Sequence, residues 1–370
     1  MAVAFVGGYL LLDWVSYIHP MQALNIAPWN PQPALAIALL AVRGLAWTPL
    51  VFFAALTAEA VVRGALLHPA SGVTAAAVLT LGYTAIAWML RTRFRVKLAL
   101  DRQDEVVRLT LVVVVGALAI AVLYVASLFV LGMRTEEGLV VPTLKFWIGD
   151  AVGILVTLPV VFMVLDVHRR ARIKQLLKRL ETHAQVVAIA LMLWLVFGVL
   201  GHESVEYFYL LFLPLVWVAV RAGLVGAVLA VAAIQWGIIV ALQLGGAAAL
   251  TVFEVQGLQI ALTIVALFLG VAVDEGERAA NQLRLSAHLA AAGNIAGAIA
   301  HELNQPLTAM SGYAKAIECL LRARDPMRRG WRKPRTSWSA RCIVLPKSYN
   351  AFATCFSPFR PGAVAPNSQV

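Results

Sequence analysis

Apolar runs broken by short polar or charged clusters fill the first 275 positions of the chain. They fall at about 2–18, 31–42, 45–62, 73–90, 107–131, 143–165, 184–200, 207–220, 223–243 and 257–273. A membrane-crossing helix needs about 20 mainly apolar residues, so the pattern predicts an all-α, polytopic membrane helix bundle of about ten spans. The second run is short and opens in "PWNPQP". Eight or nine spans, or a re-entrant segment at that place, therefore fit as well. Past Val273 the pattern changes: "DEGERAANQLRLSAHLAAAGNIAGAIAHELNQPLTAMSGYAKAIECLL" is amphipathic and Ala-rich, which favours a soluble helix.

The basic loops orient the bundle. The segments "RTRFRVKLALDRQDEVVR" (91–108) and "HRRARIKQLLKRLETH" (168–183) carry six Lys or Arg each, so both are expected on the cytoplasmic side. Alternate counting puts Arg43, Arg221 and everything after Val273 there too. "GHESVE" and "LGGAAALTVFEVQG", with no Lys or Arg, face out. Ten spans with both termini inside is the self-consistent arrangement. The first Lys or Arg is Arg43, so the N-terminus lacks a basic n-region and reads as a retained span, not a cleaved signal.

Composition agrees with a membrane chain. Of the 370 residues 61% are hydrophobic and 13% charged, and the mean hydropathy is +0.82; soluble domains carry roughly 25% charged residues. The length accommodates one membrane domain and a short soluble appendage, not a second full-sized catalytic domain. Eight Lys or Arg and no acid lie beyond Pro326, and removing them from the net +11 leaves +3. The basicity belongs to the tail and the loops, which argues against a nucleic-acid partner. Cys319, Cys342 and Cys355 have neither metal-ligand nor C-x-x-C spacing, so no metal site is expected.

Four carboxylates fall in or beside apolar runs: Asp13, Glu59, Asp150 and Glu254. Each costs about 2.5–3.5 kcal/mol to insert and so faces the bundle interior or a wet cavity. "FWIGDAVGILVTLP" (146–159) is the densest case, with Asp150 between Gly149 and Gly153 and Pro159 further on. Two readings fit: glycines that allow close packing with Asp150 bonded to a neighbouring helix, or an acid that senses a ligand or a proton.

"NIAPWNPQPALAIALLAVRG", "FWIGDAVGILVTLP", "PLVWVAVRAGLVGA" and "EVQGLQIALTIVALFLGVAVDE", in this order, resemble the signature segments of the MASE-type integral membrane sensor domain. The resemblance covers about 5–275. It implies an N-terminal input module joined to a cytoplasmic signalling output, commonly a histidine kinase or a diguanylate cyclase. The signature positions are Trp147, Gly149, Asp150, Gly153 and Pro159.

The soluble stretch carries its own chemistry. Ile299, Pro306, Tyr313 and Leu320 at heptad position a put Ala296, Leu303, Met310 and Ile317 at d, a seam that associates helices side by side. His301 then falls at c, facing solvent with Glu302 beside it. A zinc protease needs H-E-x-x-H, but residue 305 is Gln. An acid–base enzyme needs a pocket that so few soluble residues do not build. The third reading is phosphoryl acceptance: a neutral imidazole attacks the γ-phosphate of ATP while an adjacent carboxylate holds the proton of the other ring nitrogen.

"HELNQPLTA" resembles the H-box of the dimerisation and phosphoacceptor domain of two-component sensor histidine kinases, especially the A-H-E-L-N-Q-P-L subgroup. The resemblance implies His301 as phosphoacceptor, Glu302 as activating acid, and a helix bend at Pro306 within Asn304, Gln305, Pro306. Many of these kinases place Thr or Asn four residues after the His to position water for dephosphorylation of the partner; here that place holds Gln305. An intact relative adds a second hairpin helix and an ATP-binding domain. The tail after Leu320 has six of the chain's 16 prolines, no acid after Asp325 and no Gly-rich phosphate cradle.

The organisation expected is therefore a sensor domain over 1–275, a signalling helix with part of the phosphoacceptor domain over 276–322, and a basic Pro-rich tail over 323–370. The tail reads as frame-disrupted or as a disordered, lipid-touching segment. Such a chain binds no cofactor of its own; ATP and Mg are the phosphoryl source in an intact relative. Its expected partners are membrane lipid, a second helix in a homo- or heterodimer, and a response regulator. A non-catalytic receptor or decoy is the alternative, and a transporter, motivated by Asp150, a third reading.

Overall fold

The structure is a computed structural model that describes residues 2–17, 29–63, 69–93, 100, 102–133, 138–200, 205–245 and 252–324. It divides into two compact units, Met1–Arg278 and Ala279–Val370. The described residues form helices and no strand. In hydrocarbon every backbone N–H and C=O must be satisfied within the segment, so even the Val-rich stretch after Gln103 is helical despite its β-branched side chains.

In chain order the helices are α1 (Ala2–Ser16), α2 (Gln32–Arg43), α3 (Thr48–Val61), α4 (Pro69–Trp88), α5 (Gln103–Val130), α6 (Val140–Leu165), α7 (Val167–Leu176), α8 (Leu180–Trp194), α9 (Phe212–Gly245) and α10 (Val252–Arg324). Six segments are long and apolar enough to cross a membrane, in α4, α5, α6, α8, α9 and α10. Each of the ten expected apolar runs lies on a helix, but α1, α2 and α3 have only 15, 12 and 14 residues. The shortest, α2, starts where Pro31 and Pro33 interrupt the chain, and at about 1.5 Å per residue it spans about 18 Å, little more than half a bilayer core.

Runs eight and nine lie on two helices that meet without a loop, numbered together as α9; between them only Gly223 has a non-helical backbone (φ 63°, ψ −152°). A Cβ on Gly226 would come to 3.3 Å from the carbonyl oxygen of Val218. Eight residues along a straight helix are about 12 Å apart, so the chain reverses at Gly223. The two arms, 212–222 and 224–245, match the two predicted runs, joined by one residue in a conformation that is essentially glycine's alone.

Within the first unit one apolar core joins α1 to α6 with Leu176 of α7, Leu224, Val225 and Val228 of α9 and Leu267 and Val271 of α10, and a second surrounds Trp29 with residues of α6, α8, α9 and α10. Trp29 meets Trp236 edge to face at 5.2 Å, and Tyr124 stacks on Phe146 at 4.5 Å. Helices α4 and α5 approach closely because Gly82 faces Ile120 and Gly116 faces Ile86, so that a Cβ at either glycine would collide with the isoleucine opposite. The outward positions of α5, such as Leu111, Val115 and Leu123, are exposed, as expected for a lipid-facing surface. In the second unit all side chains of 279–321 are exposed, the apolar seam positions Leu303, Met310, Ile317 and Leu320 among them.

Candidate functional site

The short α2 accounts for the polar chemistry of the membrane domain. The residues just before it are wedged against α6: the Asn30 N–H donates to the Gly149 carbonyl at 3.1 Å. A Cβ on Gly153 would fall on the Asn30 carbonyl, so the glycine spacing read from the sequence makes room for a backbone strand of the chain. Gly149 and Asp150 lie nine and ten residues into α6, roughly 15 Å by rise per residue, about the mid-depth of a ~30 Å hydrocarbon core. The N-terminal end of α2 thus lies within the bundle, where non-helical backbone is tolerated because protein surrounds it.

Two carboxylates meet this wedge. Asp150, fully buried, accepts from Asn30 Nδ2 at 3.1 Å and from the Tyr83 hydroxyl of α4 at 3.1 Å. Asp13 of α1 accepts from Gln32 Nε2 at 2.6 Å and from Arg63 Nη2 at 3.0 Å, and the same guanidinium pairs with Glu59 one turn back on α3. Arg63 and both its acid partners are buried, with side chains 2–6% exposed. Three carboxylates against one guanidinium leave the cluster an excess of negative charge if all are ionised. The amide groups of Asn30 and Gln32 give their donors to the acids, and among the described residues Asn30 Oδ1, Gln32 Oε1 and Asp13 Oδ2 are buried without a donor.

The other signature positions serve different ends. Trp147 donates from Nε1 to the Val114 carbonyl at 2.8 Å and ties α6 to α5. Pro159 is buried within α6, nine residues past Asp150. Glu254 lies in the first turn of α10. Sequence reasoning singled out Asp13, Glu59 and Asp150 but missed Asn30, Gln32, Arg63 and Tyr83. The amides stand between the prolines of "PWNPQP", and Arg63 is four residues from Glu59 at the end of an apolar run, which are usable signals; Tyr83 has none. Among the described residues no three His, Cys, Asp or Glu converge as a metal site.

A second polar layer crosses from α9 to α10. Gln235 donates to Thr263 Oγ1 at 2.9 Å and to the Gln259 carbonyl at 3.3 Å, which holds α10 to the second arm of α9.

On the soluble part of α10, His301 is exposed and its Nε2 lies 3.3 Å from Nε2 of Gln305, one turn on. Which of the two groups donates in this contact depends on the imidazole tautomer. Glu302, one residue on, is turned by about 100° around the helix and makes no hydrogen bond to the ring. Pro306 lies inside α10, which continues to Arg324, and Thr308 bonds back to the Asn304 carbonyl at 2.7 Å. The tail beyond Arg324, with the expectation of a disrupted frame, lies outside the described residues.

No curated protein and no solved structure matches the chain. The MASE1 family model matches residues 1–277, a range that takes in the wedge, the three buried acids of its cluster and the whole last span. MASE1 is a membrane-associated sensor domain often found in signalling proteins. With six long apolar helices beside the buried polar cluster, the chain is a multi-pass membrane protein that belongs to the MASE1 family.

Proposed function

We propose that the chain is a bacterial inner-membrane sensor of a two-component phosphorelay, with 1–275 as the input domain and His301 as phosphoacceptor. The termini are cytoplasmic in this reading, and 276–322 is a signalling helix with part of the dimerisation domain. The observation that carries it is the contiguous "HELNQPLTA" on the helix that begins as the last apolar run of a sensor domain, with His301 open to a partner. In the reaction Nε2 of the neutral imidazole forms a bond to the γ-phosphorus, the bond to the bridging oxygen breaks, ADP leaves, and the Nδ1 proton passes to a base. Glu302 is that base once a catalytic domain and a side-chain rotation bring it to the ring. ATP and Mg are delivered by a separate catalytic domain, and the phosphoryl group goes on to a response regulator.

The exposed seam of Leu303, Met310, Ile317 and Leu320 also suits a non-catalytic receptor or decoy that pairs with another helix of its kind. One experiment separates the two. Purified full chain in lipid is given Mg-ATP with and without the catalytic domain of a related kinase, and acid-labile phosphate is scored on wild type and His301→Gln. Labelling that needs the added domain and disappears in the variant supports the phosphoacceptor. No labelling in either sample overturns it and leaves pairing as the output.

A further inference from the structure

The last span ends in two adjacent acids, Asp274 and Glu275, and each occupies the start of a different helix. The Asp274 side chain is only 5% exposed. It accepts from the Leu224 N–H, the first of the second arm of α9. Glu275 Oε1 accepts from the Gln103 N–H, the first residue of α5, at 2.7 Å. The residue before Gln103, Arg102, gives no side-chain cap to α5, so the capping oxygen comes from α10, 172 positions later. The opening N–H groups of a helix have no partner within it and carry partial positive charge, and a carboxylate satisfies both needs. Arg172 of α7 stands 3.8 Å from Asp274 Oδ1 as a third tie.

The surroundings are shaped for this contact. Gly223 holds φ 63°, and a Cβ there would land on Asp274 Oδ1. One turn before Asp274, Gly270 lies so close to α9 that a Cβ would come to 2.8 Å from Cα of Leu224. Gly270 and Asp274, four apart, therefore present one face of α10 to the reversal in α9. That reversal and the α5 start are distant in sequence, yet both end on two consecutive side chains at the point where the family match stops, residue 277.

We infer that Asp274 and Glu275 form a latch through which α5, α7 and α9 hold the exit of α10, and that the sensor domain transmits its state by making or releasing these two caps. A change in the bundle that shifts α9 against α5 cannot keep both bonds, because consecutive carboxylates on one helix are fixed relative to each other. Release frees the first turns past Asp274 without unfolding the bundle. The role in transmission rests on the sensor reading above; the contacts themselves do not depend on His301.

Amide hydrogen exchange on the full chain in lipid nanodiscs tests the latch with Asp274→Ala, Glu275→Ala, the double variant and Gly223→Ala. Alanine is used because Asn or Gln would keep an oxygen that accepts the same N–H. The expected result is at least a tenfold faster exchange at 272–282 in the double variant, with faster exchange at 224–226 for Asp274→Ala and at 103–106 for Glu275→Ala. Gly223→Ala, which displaces Asp274 from the α9 side, is expected to reproduce Asp274→Ala, while α4 and α6 stay protected in all of them. Unchanged exchange at 272–282 overturns the latch, and so does a uniform rise across α4 and α6, which marks a merely structural role. Labelling of His301 by an added catalytic domain is read on the same samples. Labelling equal in wild type and double variant overturns transmission through the latch. Absence of labelling in wild type tells against the phosphoacceptor alone, since exchange still decides the latch.

Discussion

Removing the Tyr83 hydroxyl is the sharpest perturbation of the buried network. Asp150 is fully buried, and among the described residues its side-chain donors are Asn30 Nδ2 and the Tyr83 hydroxyl, each at 3.1 Å. Inserting a carboxylate costs about 2.5–3.5 kcal/mol, and each hydrogen bond to a charged group returns about 1.5–3 kcal/mol, so two bonds together are of the size of the cost and one alone covers it only at the top of its range. Tyr83→Phe keeps the ring and its packing but removes one donor at a site where Tyr83 is 1% exposed. We expect a loss of about 2 kcal/mol. Asn30→Ala removes the other donor, and the double variant is expected to depart from additivity by about 1 kcal/mol or more, because both bonds end on one carboxylate. In an Asp150→Leu background, which has no acceptor left to satisfy, Tyr83→Phe is expected to cost far less. Equilibrium unfolding in mixed micelles measures all of these. A Tyr83→Phe chain as stable as wild type, or a cycle that closes within about 0.3 kcal/mol, would refute the account of Asp150.

Other outcomes follow from the same geometry. Gly153→Val drives a side chain into the Asn30 carbonyl and is expected to destabilise by about 1–3 kcal/mol as an overpacked site, read as a lowered Tm, whereas Gly7→Val, with open space around its Cβ, leaves Tm unchanged. Arg63→Met strands Asp13 and Glu59 in the bundle and is expected to cost about 3–5 kcal/mol; Asp13→Asn combined with Glu59→Gln recovers part of that loss. Leu303→Glu is expected to abolish helix pairing in cross-linking assays without loss of membrane insertion, and unaltered pairing would remove the seam from the account.

Much of the architecture was legible because a bilayer permits few alternatives: an apolar run either becomes a helix or carries unsatisfied backbone. The ten runs located the helices, and the loop prolines of "PWNPQP" marked the shortest of the three that fall below spanning length. The glycines around Asp150 were legible as a close approach, but not the partner, which is the backbone at Asn30 rather than a packed helix surface. Hydropathy read 207–220 and 223–243 as two runs, and two helical arms lie there; that a single glycine joins them without a loop depends on a backbone conformation, which composition does not encode. The partners of the buried acids escaped for a related reason. Asn30 reaches Asp150 across 120 positions and Tyr83 reaches it across 67, and in a single sequence an amide or a tyrosine inside an apolar run carries no mark of where its donor points. The Asp274–Glu275 pair read simply as the polar end of the last span. Its role as a double cap needed the positions of two other helix starts.

The account ties a polar network within the membrane to the state of a histidine on the output helix, and one comparison tests that tie directly. The rate at which an added catalytic domain labels His301 is measured in lipid for wild type and for Tyr83→Phe, with Gly7→Val as a packing control. The account predicts a rate altered by about fivefold or more in Tyr83→Phe and unaltered in the control. Identical rates in a Tyr83→Phe chain whose stability has dropped as expected would contradict it.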